Sequence, residues 1–163
     1  EVRCGALTGN IDFAPTILKL AGLDVPENVD GADLMELYQD PEQSIHDSLA
    51  LINVWGKQPT HALSVLTKDM KYIYWGYAAE GFEATEEVYR LSVDPLELSN
   101  LAGQPEYRKE LEQMREVYDE HLSRWKREAV PYNNYQPFGI LFDRTVPWSE
   151  KVRSTSGRKR RKS

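Results

Sequence analysis

Few side chains in this sequence have the types and spacings that catalysis requires. The histidines, His46, His61 and His121, stand in unrelated contexts and lack the spacing of metal ligands. Cys4 is followed by Gly5-Ala6-Leu7, and no neighbouring group would activate its thiol as a nucleophile. Neither a glycine-rich phosphate loop nor a serine-nucleophile motif occurs. We therefore predict no catalytic residue, no metal ligand and no cofactor for this chain.

His61 is the one histidine that we single out, as a candidate substrate-binding residue. It opens a predicted strand directly after a loop that contains Trp55 and Lys57. Side chains at such loop–strand junctions can reach a neighbouring cleft. The alternative is a structural histidine without any contact to substrate. We expect His46 to lie in a solvated loop and His121 to be a partly exposed helix residue.

The segment with the clearest helical periodicity spans residues 106–127. Its apolar side chains recur at three- and four-residue spacing, which is typical of an amphipathic helix. They are Tyr107, Leu111, Met114, Val117, Tyr118, Leu122 and Trp125. This stripe is expected to pack on a sheet.

Four runs upstream of that helix have the composition of strands. Residues 48–54, 61–66, 71–75 and 88–93 are rich in apolar side chains, and the third of these runs is strongly aromatic. Their connections are short and contain no helical pattern, which favours antiparallel pairing. We therefore predict an α+β fold, in which a small antiparallel β-sheet packs against one long C-terminal helix.

Residues 11–22 predict a separate short helix. Asp12 is a plausible N-cap, Pro15 fits the first turn, and Gly22 suits the left-handed position after the last turn. Apolar side chains cover most of its circumference, so the helix requires neighbours on several sides. The segment before this helix is too short to provide those neighbours. We therefore interpret it as the last helical element of a truncated α/β domain.

The charge is distributed unevenly along the 163 residues. The net charge is -6, but residues 151–163 contain seven Lys or Arg and no acid, so the body of the chain is strongly acidic. An acidic body excludes nucleic acid as an expected partner, because phosphate contacts need a positive surface. No apolar run approaches the ~18 residues that a membrane span requires. We expect an irregular aromatic and Pro-rich extension over residues 129–150, lying on another surface, and a disordered basic tail over residues 151–163.

Residues 86–101 carry the most informative string of the chain. An apolar-alternating run ends at Asp94-Pro95, a pair that fits a tight turn, and a second apolar set leads into the long helix. Physically this is a strand, a turn and a docked helix. As a string it resembles the LYDLxxDPxExxNLA segment near the C-terminal end of the sulfatase family, in its arylsulfatase-like branch of the alkaline-phosphatase-type superfamily.

Three further segments resemble the same family. Residues 10–22 are similar to NIDLAPTLLDLAG, the segment that ends the large α/β domain of sulfatases. Residues 29–34 resemble the xDGxSL turn, with Asp33 where Ser is usual. Residues 64–73 are similar to AVRTxxyKYI, with Leu66 in place of the usual Arg. The four segments occur in the family's order, and together they form a specific signal.

The resemblance implies that the parent protein hydrolyses sulfuric esters and that this chain is its C-terminal portion. Sulfatases use a formylglycine nucleophile, made from Cys or Ser in a C/S-x-P-x-R motif, beside a divalent cation that is usually Ca²⁺. Cys4 does not match, because Gly5-Ala6-Leu7 replaces x-Pro-x. We therefore expect the fragment alone to be inactive. Its expected partner is the missing N-terminal sulfatase domain, and the parent's substrate is expected to be a sulfated small molecule or carbohydrate.

Under this hypothesis, residues 1–45 end the large sulfatase domain and residues 46–128 form the C-terminal subdomain. This subdomain would complete the fold and one wall of the substrate cleft. The resemblance also implies a periplasmic or extracellular parent. The main alternative is a non-catalytic binding or interaction module that uses the aromatic extension. An adaptor for nucleic acid has only the basic tail to support it.

Overall fold

The computed structural model describes residues 3–128 and 135–156, without the side chains of residues 153–156. It contains two compact units, Glu1–Leu49 and Ala50–Ser163. The sequence predicted a division after residue 45, and the structure places it after Leu49. The predicted α+β class is confirmed, because the second unit pairs a small sheet with one long helix.

The first unit consists of short helical elements joined by loops. A 3-10 turn, Asn10–Asp12, leads into helix α1, Phe13–Leu20, and helix α2 spans Met35–Gln39. Helix α1 ends as predicted: Gly22 has a φ of 71°, and the Leu23 N–H donates to the Leu18 carbonyl at 2.9 Å. Asp12 occupies the N-cap position of α1, as predicted, but its side chain makes no capping bond to this helix.

Polar contacts rather than a large core hold the first unit together. The Thr16 hydroxyl donates to the Asp12 carbonyl at 2.6 Å and accepts from the Leu34 N–H at 2.9 Å. The loop before α2 passes close to the 3-10 turn, where a Cβ at Gly31 would lie 2.0 Å from the Ile11 carbonyl oxygen. Only glycine fits at this crossing.

The sheet of the second unit has four strands in the order β1-β2-β3-β4. Their bounds are Leu49–Asn53, Ala62–Leu66, Met70–Trp75 and Thr85–Arg90. Strands β2, β3 and β4 pair antiparallel, with Leu63 opposite Tyr74 and Tyr72 opposite Val88. Because side chains alternate across a strand, these four residues share one face of the sheet.

Helix α3, Arg108–Glu128, packs on that face, preceded by a 3-10 turn at Pro105–Tyr107. The sheet and α3 bury one hydrophobic core. From the sheet it contains Leu63, Val65, Met70, Tyr72, Tyr74 and Val88, and from α3 it contains Leu111, Met114, Tyr118 and Leu122. The predicted helix and its packing stripe are therefore confirmed.

The last strand lies three residues earlier than the sequence predicted. The predicted strand covered residues 88–93, whereas β4 ends at Arg90. The reason is a turn that starts there, since the Asp94 N–H donates to the Arg90 carbonyl at 2.9 Å. The apolar side chain of Val93 is therefore exposed rather than part of the sheet.

The chain after α3 does not form the irregular arm over another surface that the sequence predicted. Residues 129–134 and 157–163 lie outside the described part. Two helices follow, α4 at Phe138–Leu141 and α5 at Trp148–Ser156. Helix α5 corrects the expected disorder for residues 151–156, because its turns are stabilised by packing onto the second unit's own core. No helix in the described ranges is long and apolar enough to cross a membrane.

Candidate functional site

The loop between β1 and β2 presents two side chains suited to ligand contact. Trp55 is 75% exposed, and Lys57 is also exposed. Internal hydrogen bonds fix the conformation of the loop. The Asn53 side-chain amide donates to the Thr60 carbonyl at 3.0 Å, and the Thr60 hydroxyl donates to the Lys57 carbonyl at 2.8 Å. An aromatic ring beside an ammonium group on a fixed loop can stack on a sugar ring and pair with an anion.

His61 lies at the end of the same loop, but its side chain points inward. The imidazole is 7% exposed and meets the Phe138 ring edge-on, with ring centroids 5.3 Å apart. The backbone N–H of His61 closes the 3-10 turn Gln58–Thr60 by donating to the Gln58 carbonyl at 3.0 Å. Trp55 and Lys57 are thus exposed on this loop, whereas His61 is buried. A substrate contact by His61 stays a prediction.

His46 does not lie in a solvated loop, contrary to the sequence-based expectation. Its Nε2 lies 2.7 Å from Oδ1 of Asp12, a residue that is fully buried. The Asp12 carboxylate also accepts from the Gly9 and Ala32 N–H groups, each at 2.8 Å. Burial alone would raise the pKa of Asp12, but the bonds from Ala32, Gly9 and His46 together hold this pKa below its usual value. The arrangement joins three segments of the first unit, which is a structural role.

Cys4 and His121 are the other two residues considered for chemistry. Cys4 is an exposed free thiol. His121 is half-buried on α3, and burial lowers the pKa of its imidazole. Neither lies in a cluster of potential metal ligands: within residues 3–128 and 135–156, no group of three or more His, Cys, Asp and Glu side chains could hold a metal ion.

A partly buried ionic network lies between the sheet and α3, and the sequence did not predict it. The Glu86 carboxylate accepts from the Tyr72 hydroxyl at 2.5 Å and from both Nε and Nη2 of Arg115, and Arg144 lies 3.6 Å away. Burial alone would raise the pKa of Glu86, but these donors lower it overall. Strand alternation puts Glu86 on the same face as Val88, which is the signal that would have revealed it.

The members of this network bond to one another. Arg144 also pairs with Asp119, at 2.6 Å between Nη2 and Oδ2. Burial raises the pKa of the Tyr72 hydroxyl far above its usual value, so this group remains a donor to Glu86. The role that we assign to this network is structural rather than catalytic. It holds the sheet, α3 and the chain after α4 in position.

The most informative sequence string also has a structural role. The Asp94 carboxylate accepts from the N–H groups of Leu98 and Ser99, which fixes the turn after β4. The Asn100 side chain accepts from the Val88 N–H at 3.0 Å and donates to the Glu86 carbonyl at 3.1 Å. Asn100 thereby pairs with the outer edge of β4 and protects this edge from other strands.

Comparison with protein families gives one match that covers most of the chain. The model of the family described as N-sulphoglucosamine sulphohydrolase, C-terminal, matches residues 2–128. The match includes α1, the whole sheet and α3, and it ends before α4.

Curated relatives and solved structures point to the same family. The chain is 27% identical over 127 residues to an N-acetylglucosamine-6-O-sulfatase of Bacteroides thetaiotaomicron, covering 74% of this chain and 22% of the relative. It is 32% identical over 120 residues to arylsulfatase K of Xenopus laevis, covering 67% of this chain and 22% of the relative. A solved 2-O GAG sulfatase matches with a TM-score of 0.58 and 29% identity, over 71% of this chain and 24% of that one. The chain thus spans about a fifth of the length of these curated relatives.

Proposed function

The chain belongs to the sulfatase family, whose C-terminal domain it contains, and on that premise we propose that it is part of a longer enzyme that hydrolyses sulfate esters of carbohydrates. The observation that carries the proposal is the family match over residues 2–128, which includes both units' regular elements up to α3. Two similar proteins, an N-acetylglucosamine-6-O-sulfatase and a 2-O GAG sulfatase, support a sulfated sugar as substrate. The family also favours a parent in the periplasm or outside the cell.

The catalytic centre of the parent would lie in another part of the protein. A sulfatase centre needs a formylglycine nucleophile and a divalent cation such as Ca²⁺. The described residues do not fit such a cation, since they offer no cluster of three or more potential ligands, and Cys4 lacks the surrounding motif. We therefore assign neither group to this chain.

The isolated chain tests this assignment directly. It should release no product above background from nitrophenyl sulfate, with or without added Ca²⁺. A Ca²⁺-dependent turnover by the pure chain would place the centre here and overturn the proposal.

Helix α1 offers a surface for the proposed catalytic domain. Phe13 and Ile17 are 55% and 64% exposed, and Leu20 is exposed beside them. Burial of apolar surface stabilises by roughly 25 cal/mol per Å², so covering such side chains contributes several kcal/mol. We propose that the N-terminal sulfatase domain covers this face.

The β1–β2 loop would then form one wall of the substrate cleft. Trp55 would stack on a sugar ring of the substrate, and Lys57 would pair with a sulfate group. His61 would support the loop from beneath or contact the substrate directly. None of these three residues is a catalytic acid or base in this proposal.

The test is Trp55→Ala in the full-length parent enzyme, assayed on a sulfated amino sugar and on nitrophenyl sulfate. The KM for the sugar should rise about 3- to 10-fold with kcat nearly unchanged, because a lost stacking contact removes uniform binding. The aryl sulfate should be unaffected. Leu96→Ala is the matched control, since Leu96 is equally exposed elsewhere in the second unit.

His61→Ala belongs in the same assay. A KM increase limited to the sugar supports a substrate contact by His61. Unchanged kinetics on both substrates would make His61 a structural residue. Equal kinetics of Trp55→Ala and Leu96→Ala would remove the loop from the cleft wall.

A further inference from the structure

Residues 135–152, here called the strap, lie beyond the family-matched segment, which ends at residue 128. They nevertheless complete the core that this segment builds. Phe138, Leu141 and Phe142 are all buried in the same cluster as the sheet and α3 residues. The Phe142 ring lies against Trp125 of α3, with centroids 5.7 Å apart. The matched segment therefore does not close its core by itself.

Polar bonds anchor the strap at three places along its length. The Tyr118 hydroxyl, in the centre of the core, donates to the Phe142 carbonyl at 2.6 Å. Arg144 pairs with Asp119 on the exposed side of α3. The Lys151 Nζ lies 2.8 Å from the Tyr74 hydroxyl, and Lys151 is only 1% exposed. The strap is thus held at α3 and at β3.

A glycine lies at the end of β3, where the strap passes. A Cβ at Gly76, directly after β3, would lie 2.3 Å from the Leu141 carbonyl oxygen. Such a separation is far inside van der Waals contact, so any side chain at this position would displace the strap or the end of β3. The glycine that follows β3 is therefore fitted to the presence of the strap.

We propose that the strap is a required part of this C-terminal domain, which locks α3 onto the sheet. Three observations support it independently: the shared core, the anchors at Tyr118, Asp119 and Tyr74, and the glycine at the crossing. The family-matched segment of this protein would consequently depend on a C-terminal segment that the family model does not include.

Gly76→Ala tests the crossing, measured by hydrogen exchange of the full chain. Amides of residues 138–142 should exchange at least about 10-fold faster than in the wild type, while amides of β2 retain most of their protection. Gly103→Ala is the matched control, because no atom lies within 4 Å of a Cβ at that position. Equal strap protection in both variants would overturn the proposal.

Tyr118→Phe tests one anchor without disturbing the core packing. Loss of one hydrogen bond should speed exchange of the strap amides by about 2- to 10-fold, with a smaller change in the sheet.

A chain that stops after residue 134 gives the third measurement. We expect a large fall in its melting temperature, or failure to fold. An unchanged melting temperature would show that the strap is dispensable.

Discussion

Helices α1 and α3 both carry apolar side chains at helical spacing, but these side chains have opposite surroundings. In α3, the apolar stripe is buried against the sheet, and Tyr118 and Leu122 lie in the core. In α1, the apolar side chains of Phe13, Ile17 and Leu20 are exposed. The difference teaches that a periodic apolar pattern predicts that a face needs a partner, but not that the partner lies in the same chain.

The two units also bury their polar groups in different ways. The first unit surrounds the Asp12 carboxylate with two backbone N–H groups and His46. The second unit buries the Lys151 ammonium against the Tyr74 ring and hydroxyl. One unit thus depends on local polar contacts, and the other on a hydrophobic core that extends to Phe142, with Trp148 packed against it.

The largest expected effect contrasts the two helices by truncating one aliphatic side chain in each. Leu122→Ala should destabilise the second unit by about 2–5 kcal/mol, because it opens a cavity in a closed core. Ile17→Ala should change stability by less than about 0.5 kcal/mol, because this side chain is already exposed. Urea unfolding of both variants measures the difference. Similar losses would mean that α1 is covered within this chain.

A smaller effect is expected from the polar contacts of the first unit. Asp12→Asn should cost about 1–3 kcal/mol, because the amide cannot accept all the bonds that the carboxylate accepts. Faster hydrogen exchange of the Gly9 and Ala32 amides would measure this loss of stability. Asp24→Asn, at an exposed carboxylate, is the control and should have no effect. If both variants behaved alike, the Asp12 contacts would contribute nothing to this unit.

The smallest effect is a dependence of stability on alkaline pH that belongs to the second unit alone. Burial lowers the pKa of Lys151 to about 8, although Asp143 raises it slightly. Between this value and the ordinary lysine pKa, the unfolded chain binds more protons than the folded one, so stability rises with pH. From pH 8 to 9.5 the gain should be ~1 kcal/mol.

Lys151→Met should abolish that rise, measured as the difference from the wild type in urea unfolding at each pH. For the first unit, Asp12 predicts a loss of stability at acidic pH. Its folded pKa is lowered, so its contribution is complete above the unfolded pKa and is lost as the pH falls through the folded pKa. A Lys151→Met variant that kept the alkaline rise would assign that rise to another group.

The elements of the fold could be predicted from local pattern, but the bonds of the candidate site could not. The positions of the four strands and of α1 and α3 follow from the period of apolar residues, with β4 displaced by the turn at Arg90, whereas α4 and α5 were not predicted. The contact between His46 and Asp12 joins residues far apart in the sequence, and no local pattern predicts such a pair. The inward orientation of His61 likewise depends on Phe138, which lies in a segment predicted to be irregular.

The amino-acid sequence by itself determined the fold class, the family and the absence of a sulfatase nucleophile motif in this chain, because each depends on residue types at short spacing. Tertiary structure alone decided which charged groups are buried and which segments close the core. Lys151 was assigned to a disordered basic tail from composition, yet it is buried on Tyr74 because α5 returns to the sheet. Burial is a property of long-range packing, and a charge pattern along the chain does not contain it.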